Sequence, residues 1–135
     1  MYSRSGGQSI GYAKKMNLVA DVAERDELQL DLDTDEQYKT FQRMLPHVED
    51  VYPIEDVIET PSKSGKRHIR LFTAYELSVE ERIALQTILG SDPMKELCSL
   101  RRWLNDDPFP ILLFEKPETA ALIEEKEKSN EKLRP

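Results

Sequence analysis

The chain has 135 residues, of which 39% are apolar and one is cysteine. This length suits one compact domain, and a single cysteine excludes an internal disulfide and a thiolate metal cage, so small secreted domains and zinc ribbons are excluded. Residues 16–115 carry 21 acidic and 11 basic residues, which makes them a poor unaided partner for a nucleic-acid duplex, because duplex binding depends on lysine and arginine.

The two ends of the chain differ in composition from the middle. Residues 1–15 are rich in glycine and serine, which predicts a flexible arm. Residues 116–135 repeat glutamate and lysine, which predicts a charged tail that is either helical or disordered. The middle, residues 16–115, is expected to be one domain. Since the sequence has no apolar run of membrane-spanning length and no apolar secretion signal, we expect a cytoplasmic protein without membrane contact.

The first predicted strand and helix follow each other directly. Residues 28–33 alternate apolar and polar side chains, which indicates a strand with one buried face. From Asp35 the apolar residues recur at helical spacing as far as Leu45, and Pro46 follows. We therefore expect a helix that ends at this proline.

Two short strands and a helix in two pieces come next. Residues 54–60 and 68–72 are short runs rich in β-branched or apolar residues, separated by a polar loop, which predicts a hairpin. A capping box at Ser78 opens the first helical piece, and Gly90 ends it.

The second helical piece opens at Asp92 with Pro93 and extends to Leu104, and residues 111–114 supply a last strand. Its apolar residues recur on one side, which predicts that they face the core: Leu97, Leu100, Trp103 and Leu104.

This order of elements, β-α-β-β-α-β, matches an α+β fold of the ferredoxin-like type, which is also the plan of the RNA-recognition motif (RRM). In that plan four antiparallel strands form one sheet, with both helices on one face. We therefore expect the opposite face of the sheet to be open.

Polar residues of two strands are expected to meet on that open face. Period two places Asp31 and Asp33 there, and His68 and Arg70 of the hairpin strand project to the same side. The two strands are central antiparallel neighbours in this plan, so the acids and the histidine should share one end of the sheet. Two carboxylates this close make an oxygen-donor site for Mg²⁺ or Mn²⁺.

The loop before His68 adds positive charge beside these acids. It contains Lys66 and Arg67 together with serines and a glycine. Such donors suit phosphate groups. The sequence therefore predicts a site for a metal ion and a phosphate-bearing ligand.

These motifs resemble the archaeo-eukaryotic primase-polymerase superfamily. The resemblance rests on Asp31-x-Asp33 after an apolar strand, on the Ser64-Gly65-Lys66-Arg67-His68 element, and on a later acid. It implies that Asp31, Asp33 and Asp92 are metal ligands. It further implies that Ser64 and His68 hold the phosphates of an incoming nucleotide. Taken by itself, Asp92 followed by Pro93 favours a helix cap over a metal ligand. Residues 59–115 are also similar to short uncharacterised proteins of phages and mobile elements.

Three functions remain open at this point. The first is a minimal or degenerate primase-polymerase, a nucleotidyltransferase in phage or plasmid DNA replication, with Asp31, Asp33 and His68 as catalytic residues, Arg70 near the phosphates, and a nucleoside triphosphate and a divalent metal as ligands. The second is a module that binds single-stranded nucleic acid on the sheet face. The third is an interaction protein that binds a protein of a replication or host complex.

Overall fold

The computed structural model describes residues 7–61 and 66–133. Within them no helix is long and apolar enough to cross a membrane. The chain is an α+β protein with two small antiparallel sheets. Its elements are, in chain order, α1 (Gly7–Lys15), β1 (Val19–Val22), β2 (Glu27–Leu32), α2 (Asp35–Val51), β3 (Ile54–Pro61), β4 (Arg67–Thr73), α3 (Val79–Ile88), α4 (Pro93–Leu104), β5 (Leu112–Glu115) and α5 (Pro117–Leu133).

The larger sheet has three strands in the order β2-β4-β3. The predicted hairpin is present as β3 and β4, and β4 is antiparallel to both of its neighbours. The register pairs Asp31 with His68 and Leu30 with Ile69. Since side chains alternate along a strand, the first pair lies on one face of the sheet and the second pair on the other.

The predicted four-stranded sheet is wrong for the described residues, because β5 pairs with β1 and not with β2. The free edge of β2 is already occupied, which explains the difference. Residues of α3, α4 and the turn between them hydrogen-bond to its backbone. The amide of Gln29 donates to Gln86 Oε1 at 2.9 Å, and the carbonyl of Gln29 accepts from Lys95 Nζ at 2.7 Å. The amide of Asp31 donates to Ser91 Oγ at 3.0 Å, and the carbonyl of Asp31 accepts from the Asp92 amide at 2.7 Å. These contacts occupy the backbone groups of Gln29 and Asp31 that a fourth strand would need.

Three helices begin at side chains that cap them. Thr34 and Gln37 form a capping box at the start of α2, and Ser78 and Glu81 form the predicted one at α3. The carboxylate of Asp92 caps α4. Each cap satisfies backbone amides that have no partner within the helix, so these residues fix where the helices start.

The core lies between the sheet and helices α2 and α3. Helix α2 continues through Pro46 to Val51, so its predicted end at the proline is wrong. Val48, beyond the proline, is buried in the core, and this packing offsets the hydrogen bond that proline cannot donate. The buried members of the core are Leu28, Leu30, Leu32, Phe41, Val48, Ile69, Leu71, Leu77, Leu85 and Leu89.

The ribbon, β1 paired with β5, covers part of the sheet face that the sequence predicts to be open. Arg70 of β4 is fully buried beneath it and donates from Nε to Asp21 Oδ2 at 2.7 Å and from Nη2 to Glu115 Oε1 at 3.2 Å. His68 also contacts Glu115. The expectation of a wholly open face is therefore wrong, because strand β1, for which the sequence predicts no element, carries an acid that pairs with this arginine.

Helix α4 has its apolar side outward, against the prediction. Glu96, Ser99 and Arg102 are its buried residues, and Arg102 donates from Nε to the carbonyl of Pro110 at 2.9 Å. The polar side of α4 is thus the side that attaches it to the domain. The residues predicted to face the core are exposed: Leu97, Leu100, Trp103 and Leu104.

Both ends of the described chain are helical. Residues 7–15, assigned to a flexible arm from their composition, form α1, in which Ala13 is buried. Of the two alternatives for the tail, the structure has the helix, α5, and Ile123 is buried on it.

Candidate functional site

Three carboxylates meet at the end of β2. Asp31 and Asp33 project from the same face because they are two residues apart in extended chain, and Asp92 comes from the turn that leads into α4. One oxygen of each carboxylate lies within 4.8 Å of the other two. The structure therefore brings together the three residues that the sequence names as candidate metal ligands.

Backbone hydrogen bonds hold these three residues in place. The amide of Asp92 donates to the carbonyl of Asp31 at 2.7 Å, and the amide of Asp33 donates to Gln37 Oε1 at 2.6 Å. Asp92 Oδ2 also accepts from the amide of Lys95, as the helix cap. Asp92 can thus be both a cap and a member of the cluster, since a carboxylate has two oxygens.

The pKa values of Asp31 and Asp33 are shifted in opposite directions from the usual value of an aspartate. Burial, then the hydrogen bond and charge of Asp31, then the charge of Asp92, raise the pKa of Asp33 to about 6. For Asp31, burial raises the pKa, but the adjacent His68, Asp33 and Lys95 outweigh it and hold the pKa below its usual range. Buried Oδ1 atoms of both aspartates accept no hydrogen bond. The neighbouring positive groups therefore compensate the negative charge of the site only in part.

His68 lies between two carboxylates. Its Nε2 atom is 3.5 Å from Asp31 Oδ1, an ion-pair distance, and its Nδ1 atom contacts Glu115 Oε1. Burial lowers the pKa of His68, but Asp31 and Glu115 together raise it to about 9. The imidazole is therefore positively charged at neutral pH, and it offsets part of the charge of the acidic cluster.

Two lysines approach the cluster from different sides. Lys66 Nζ lies 3.9 Å from Asp33 Oδ1, and its side chain is half exposed. Lys95 Nζ donates to the Gln29 carbonyl at 2.7 Å and to Glu96 Oε2 at 2.9 Å. Burial lowers the pKa of Lys95, and Glu96 opposes that effect. Lys66 is thus available to a ligand from solvent, while Lys95 is part of the framework.

The structure does not bring the other predicted phosphate-binding residues to the cluster. Arg67 lies on the helix-facing side of β4, 2.7 Å from Glu59 Oε1 and over the ring of Tyr38. Arg70 is buried beneath the ribbon, as described above. Ser64 lies outside the described residues.

A cavity of about 300 Å³ opens beside the acidic cluster. Its charged lining residues are Asp31, His68, Asp92, Lys95 and Arg102. Its apolar lining residues include Met94 and Leu112. A cavity lined by both charged and apolar side chains suits a ligand that has a charged and an apolar part.

The chain matches no protein-family model, no curated protein and no solved structure. Three carboxylates with oxygens within 4.8 Å of one another are a donor set typical of a hard divalent cation.

Sequence reasoning missed Lys95 and Glu115. Lys95 lies three residues after the helix cap Asp92. The capping motif predicts that the amide of this residue donates to Asp92, but nothing in the sequence predicts that its side chain is buried. Glu115 follows the apolar run 111–114. Its position at the end of a strand was a usable signal, but its contacts with His68 and Arg70 depend on where the ribbon docks.

Proposed function

We propose that this protein binds a divalent cation, Mg²⁺ or Mn²⁺, together with a nucleoside triphosphate. We propose further that it is a minimal or degenerate primase-polymerase, acting in the cytoplasm in DNA replication of a phage or plasmid. The observation that carries the proposal is the meeting of Asp31, Asp33 and Asp92 within 4.8 Å.

The order of the elements supports the kinship with an RRM-like core. From β2 to β5 the chain runs strand, helix, strand, strand, two helical pieces, strand. The strand order β2-β4-β3 is that of the first three strands of the ferredoxin-like plan. We therefore propose a ferredoxin-like ancestry in which the last strand has changed its pairing from β2 to β1.

The donor set fits a divalent cation. Buried oxygens of Asp31 and Asp33 lack a hydrogen bond, and burial, followed by the neighbouring carboxylates, raises the pKa of Asp33. A bound cation would coordinate these oxygens and offset the repulsion between the carboxylates. When bound, it would neutralise phosphate oxygens and activate an attacking hydroxyl group.

The residues around the cluster supply what a triphosphate needs. Lys66 and His68 place positive charge beside the acids, which suits phosphate oxygens. The apolar lining residues of the cavity, which include Met94 and Leu112, suit the planar face of a nucleobase. In this proposal the aspartates hold the cation, and no side chain of the chain acts as a nucleophile.

Isothermal titration tests the proposal. We expect the protein to bind Mn²⁺, and to bind a nucleoside triphosphate only in the presence of Mn²⁺. The double variant Asp31→Ala, Asp33→Ala should lose both, whereas Asp50→Ala, which removes an exposed acid of α2, should retain them. Absence of nucleotide binding to the wild-type protein with Mn²⁺ would overturn the proposal.

A second variant separates the metal from the phosphates. We expect His68→Gln to weaken triphosphate binding by tenfold or more while Mn²⁺ alone still binds. Extension of a labelled primer in the presence of Mn²⁺ then distinguishes an active enzyme from a degenerate relative that only binds nucleotide.

The alternatives receive different support. The RRM-like binding of single strands depends on aromatic residues exposed on the sheet face, and Phe72, which β4 places on the same face as His68 and Arg70, is buried. A role in protein interaction is favoured by a separate observation, the apolar surface of α4.

A further inference from the structure

The carboxylate of Glu115 joins two neighbouring side chains of β4. His68 and Arg70 are two residues apart in that strand, so both project from the same face of the sheet. Glu115 Oε1 contacts His68 Nδ1 and accepts from Arg70 Nη2 at 3.2 Å. Glu115 is the last residue of β5, and β5 reaches this place because it pairs with β1 and not with β2. The pairing of β5 thus brings an acid to the Nδ1 side of His68.

Buried contacts fix the position of this carboxylate. Glu115 is 5% exposed, and Arg70 is fully buried. Arg70 also donates from Nε to Asp21 Oδ2 at 2.7 Å, so two acids of the ribbon hold the guanidinium. Burial raises the pKa of Glu115, but His68 and Arg70 outweigh this effect and hold the pKa below its usual range. Glu115 is therefore a charged and well-anchored partner for the imidazole.

His68 links Glu115 to the cavity beside the acidic cluster. Of His68, Arg70 and Glu115, only His68 lines this cavity in the described part of the chain, and its side chain is 19% exposed. A ligand in the cavity can therefore reach the imidazole and not the carboxylate behind it. An effect of Glu115 on such a ligand has to pass through His68.

The two ring nitrogens of His68 have different surroundings. Nδ1 contacts Glu115. Nε2 lies 3.5 Å from Asp31 Oδ1, and that oxygen accepts no hydrogen bond among the described residues. A hydrogen bond between one ring nitrogen and a carboxylate fixes the orientation of an imidazole and the role of its other nitrogen. The contact with Glu115 therefore directs the N–H at Nε2 toward Asp31 and the cavity.

We propose that Glu115 is a positioning residue for phosphate binding: it holds the imidazole of His68 so that Nε2 donates a hydrogen bond to a phosphate oxygen in the cavity. This role rests on the proposed binding of a triphosphate together with a divalent cation. A donor that is fixed before the ligand arrives loses less conformational freedom on binding, so its hydrogen bond contributes more to the affinity. The aspartates hold the cation, and His68 with Glu115 behind it holds the phosphate.

Isothermal titration with Mn²⁺ and two phosphate ligands, adenosine triphosphate and inorganic tripolyphosphate, tests this role. Glu115→Gln keeps the size and removes the charge. We expect it to weaken both phosphate ligands about tenfold and to leave the binding of Mn²⁺ alone unchanged. Asp21→Asn is the matched control, because Asp21 is the ribbon acid that pairs with Arg70 and not with His68 in the described structure. Equal losses in the two variants, or no loss in Glu115→Gln, would overturn the positioning role.

A double variant separates positioning from a purely structural role. If Glu115 acts through His68, Glu115→Gln should change the affinity for tripolyphosphate by less than about twofold once His68→Gln is already present. If Glu115 only holds the ribbon in place, its substitution should weaken binding by the same factor in both backgrounds. A full tenfold loss that recurs in the double variant would therefore contradict positioning.

Nuclear magnetic resonance of the wild-type protein gives a readout that needs no variant. The chain has two histidines, and His47 is exposed on α2. With Mg²⁺ present, we expect tripolyphosphate to shift the ¹⁵N signal of His68 Nε2 more than that of Nδ1, and to leave both signals of His47 in place. An equal or larger shift at Nδ1, or no shift at either nitrogen of His68 when the ligand binds, would overturn the positioning role.

The two phosphate ligands distinguish this role from the proposed function. If the wild-type protein binds tripolyphosphate but not adenosine triphosphate, and Glu115→Gln weakens that binding, nucleotide binding is wrong and the role of Glu115 holds. If the wild-type protein binds both and Glu115→Gln binds them equally well, the proposed function holds and the role of Glu115 is wrong. If the wild-type protein binds neither with Mn²⁺, both are wrong.

Discussion

The backbone amide of Asp92 donates a 2.7 Å hydrogen bond to the backbone carbonyl of Asp31. This bond joins the N-cap residue of α4 to the edge strand β2. The start of a helix and a strand therefore set the positions of the two carboxylates. Sites built in this way hold their geometry before a ligand arrives. The acidic cluster is therefore preorganised.

Neutralising one member of the cluster should stabilise the protein when no metal is present. Because burial, and then Asp31 and Asp92, raise the pKa of Asp33, we expect Asp33→Asn to increase the free energy of unfolding by on the order of 1 kcal/mol at about pH 8. The same variant should lose the stabilisation that Mn²⁺ gives to the wild-type protein. Urea unfolding with and without Mn²⁺ measures both effects.

The control for this prediction is Asp35→Asn. Asp35 is exposed in the first turn of α2, where a negative charge is favourable, so its removal should cost a few tenths of a kcal/mol. If Asp33→Asn destabilises the metal-free protein as Asp35→Asn does, the carboxylates do not repel each other as described.

A buried glutamate should make the stability fall as the pH rises. Burial, the largest of its influences, raises the pKa of Glu27 from 4.5 to about 7. The folded state then binds this proton more tightly than the unfolded state. Its stabilisation is complete below pH 4.5 and is lost as the pH rises through 7. Between about pH 5 and pH 8 we expect the wild-type protein to lose up to about 3 kcal/mol more than Glu27→Gln.

Urea unfolding at several pH values in this range measures the difference between the two proteins. Glu80→Gln, at an exposed position of α3, should follow the wild-type curve. Parallel curves for the wild-type protein and Glu27→Gln would show that Glu27 does not titrate in this range.

Gly90 should tolerate no side chain. Its φ angle is +90°, and a Cβ atom would lie 2.9 Å from the carbonyl oxygen of Gln37 and 3.1 Å from the side chain of Thr40. We expect Gly90→Ala to cost about 2 kcal/mol or more. Gly11→Ala is the matched control, because a Cβ there meets no atom within 4 Å and α1 should gain about 0.5 to 1 kcal/mol. Thermal unfolding of the two variants measures the difference. Equal melting temperatures of Gly90→Ala and Gly11→Ala would contradict the expected contact.

The edge of β2 should depend on a single buried glutamine. Gln86 is fully buried, accepts from the amide of Gln29 and donates to Glu96. Gln86→Leu keeps the volume but removes the side-chain acceptor of the buried Gln29 amide and the donor to Glu96 Oε1, so we expect a loss of about 2 to 4 kcal/mol in urea unfolding. Gln42→Leu, on the exposed side of α2, should change the stability by less than about 0.5 kcal/mol. A similar small effect of both substitutions would show that the edge does not depend on this contact.

Local patterns predicted much of the sheet and of the cluster. Period two in residues 28–33 placed Leu30 inward and Asp31 outward, and the structure has them so. The capping signals at Ser78 and Asp92 marked the starts of two helices. These features depend on residues close together in the sequence, which is why the sequence was sufficient.

Long-range pairing could not be predicted in the same way. The burial of Arg70 depends on Asp21 and Glu115, which are 49 and 45 residues away from it. The apolar side of a helix usually faces the core. In α4 it faces outward because polar partners for Glu96 and Arg102 come from other elements. In both places charged groups are buried on a side that the sequence pattern assigned to solvent, because their partners come from distant elements.

The side chains along the edge of β2 have one more consequence. A strand edge with unpaired backbone groups can pair with a strand of another molecule, which is a common start of aggregation. With Gln86, Ser91 and Lys95 on that edge, a foreign strand would have to displace a buried network before it gained a single new bond. The hydrogen bonds that hold the acidic cluster in place therefore also oppose the pairing of this edge with a strand of another molecule.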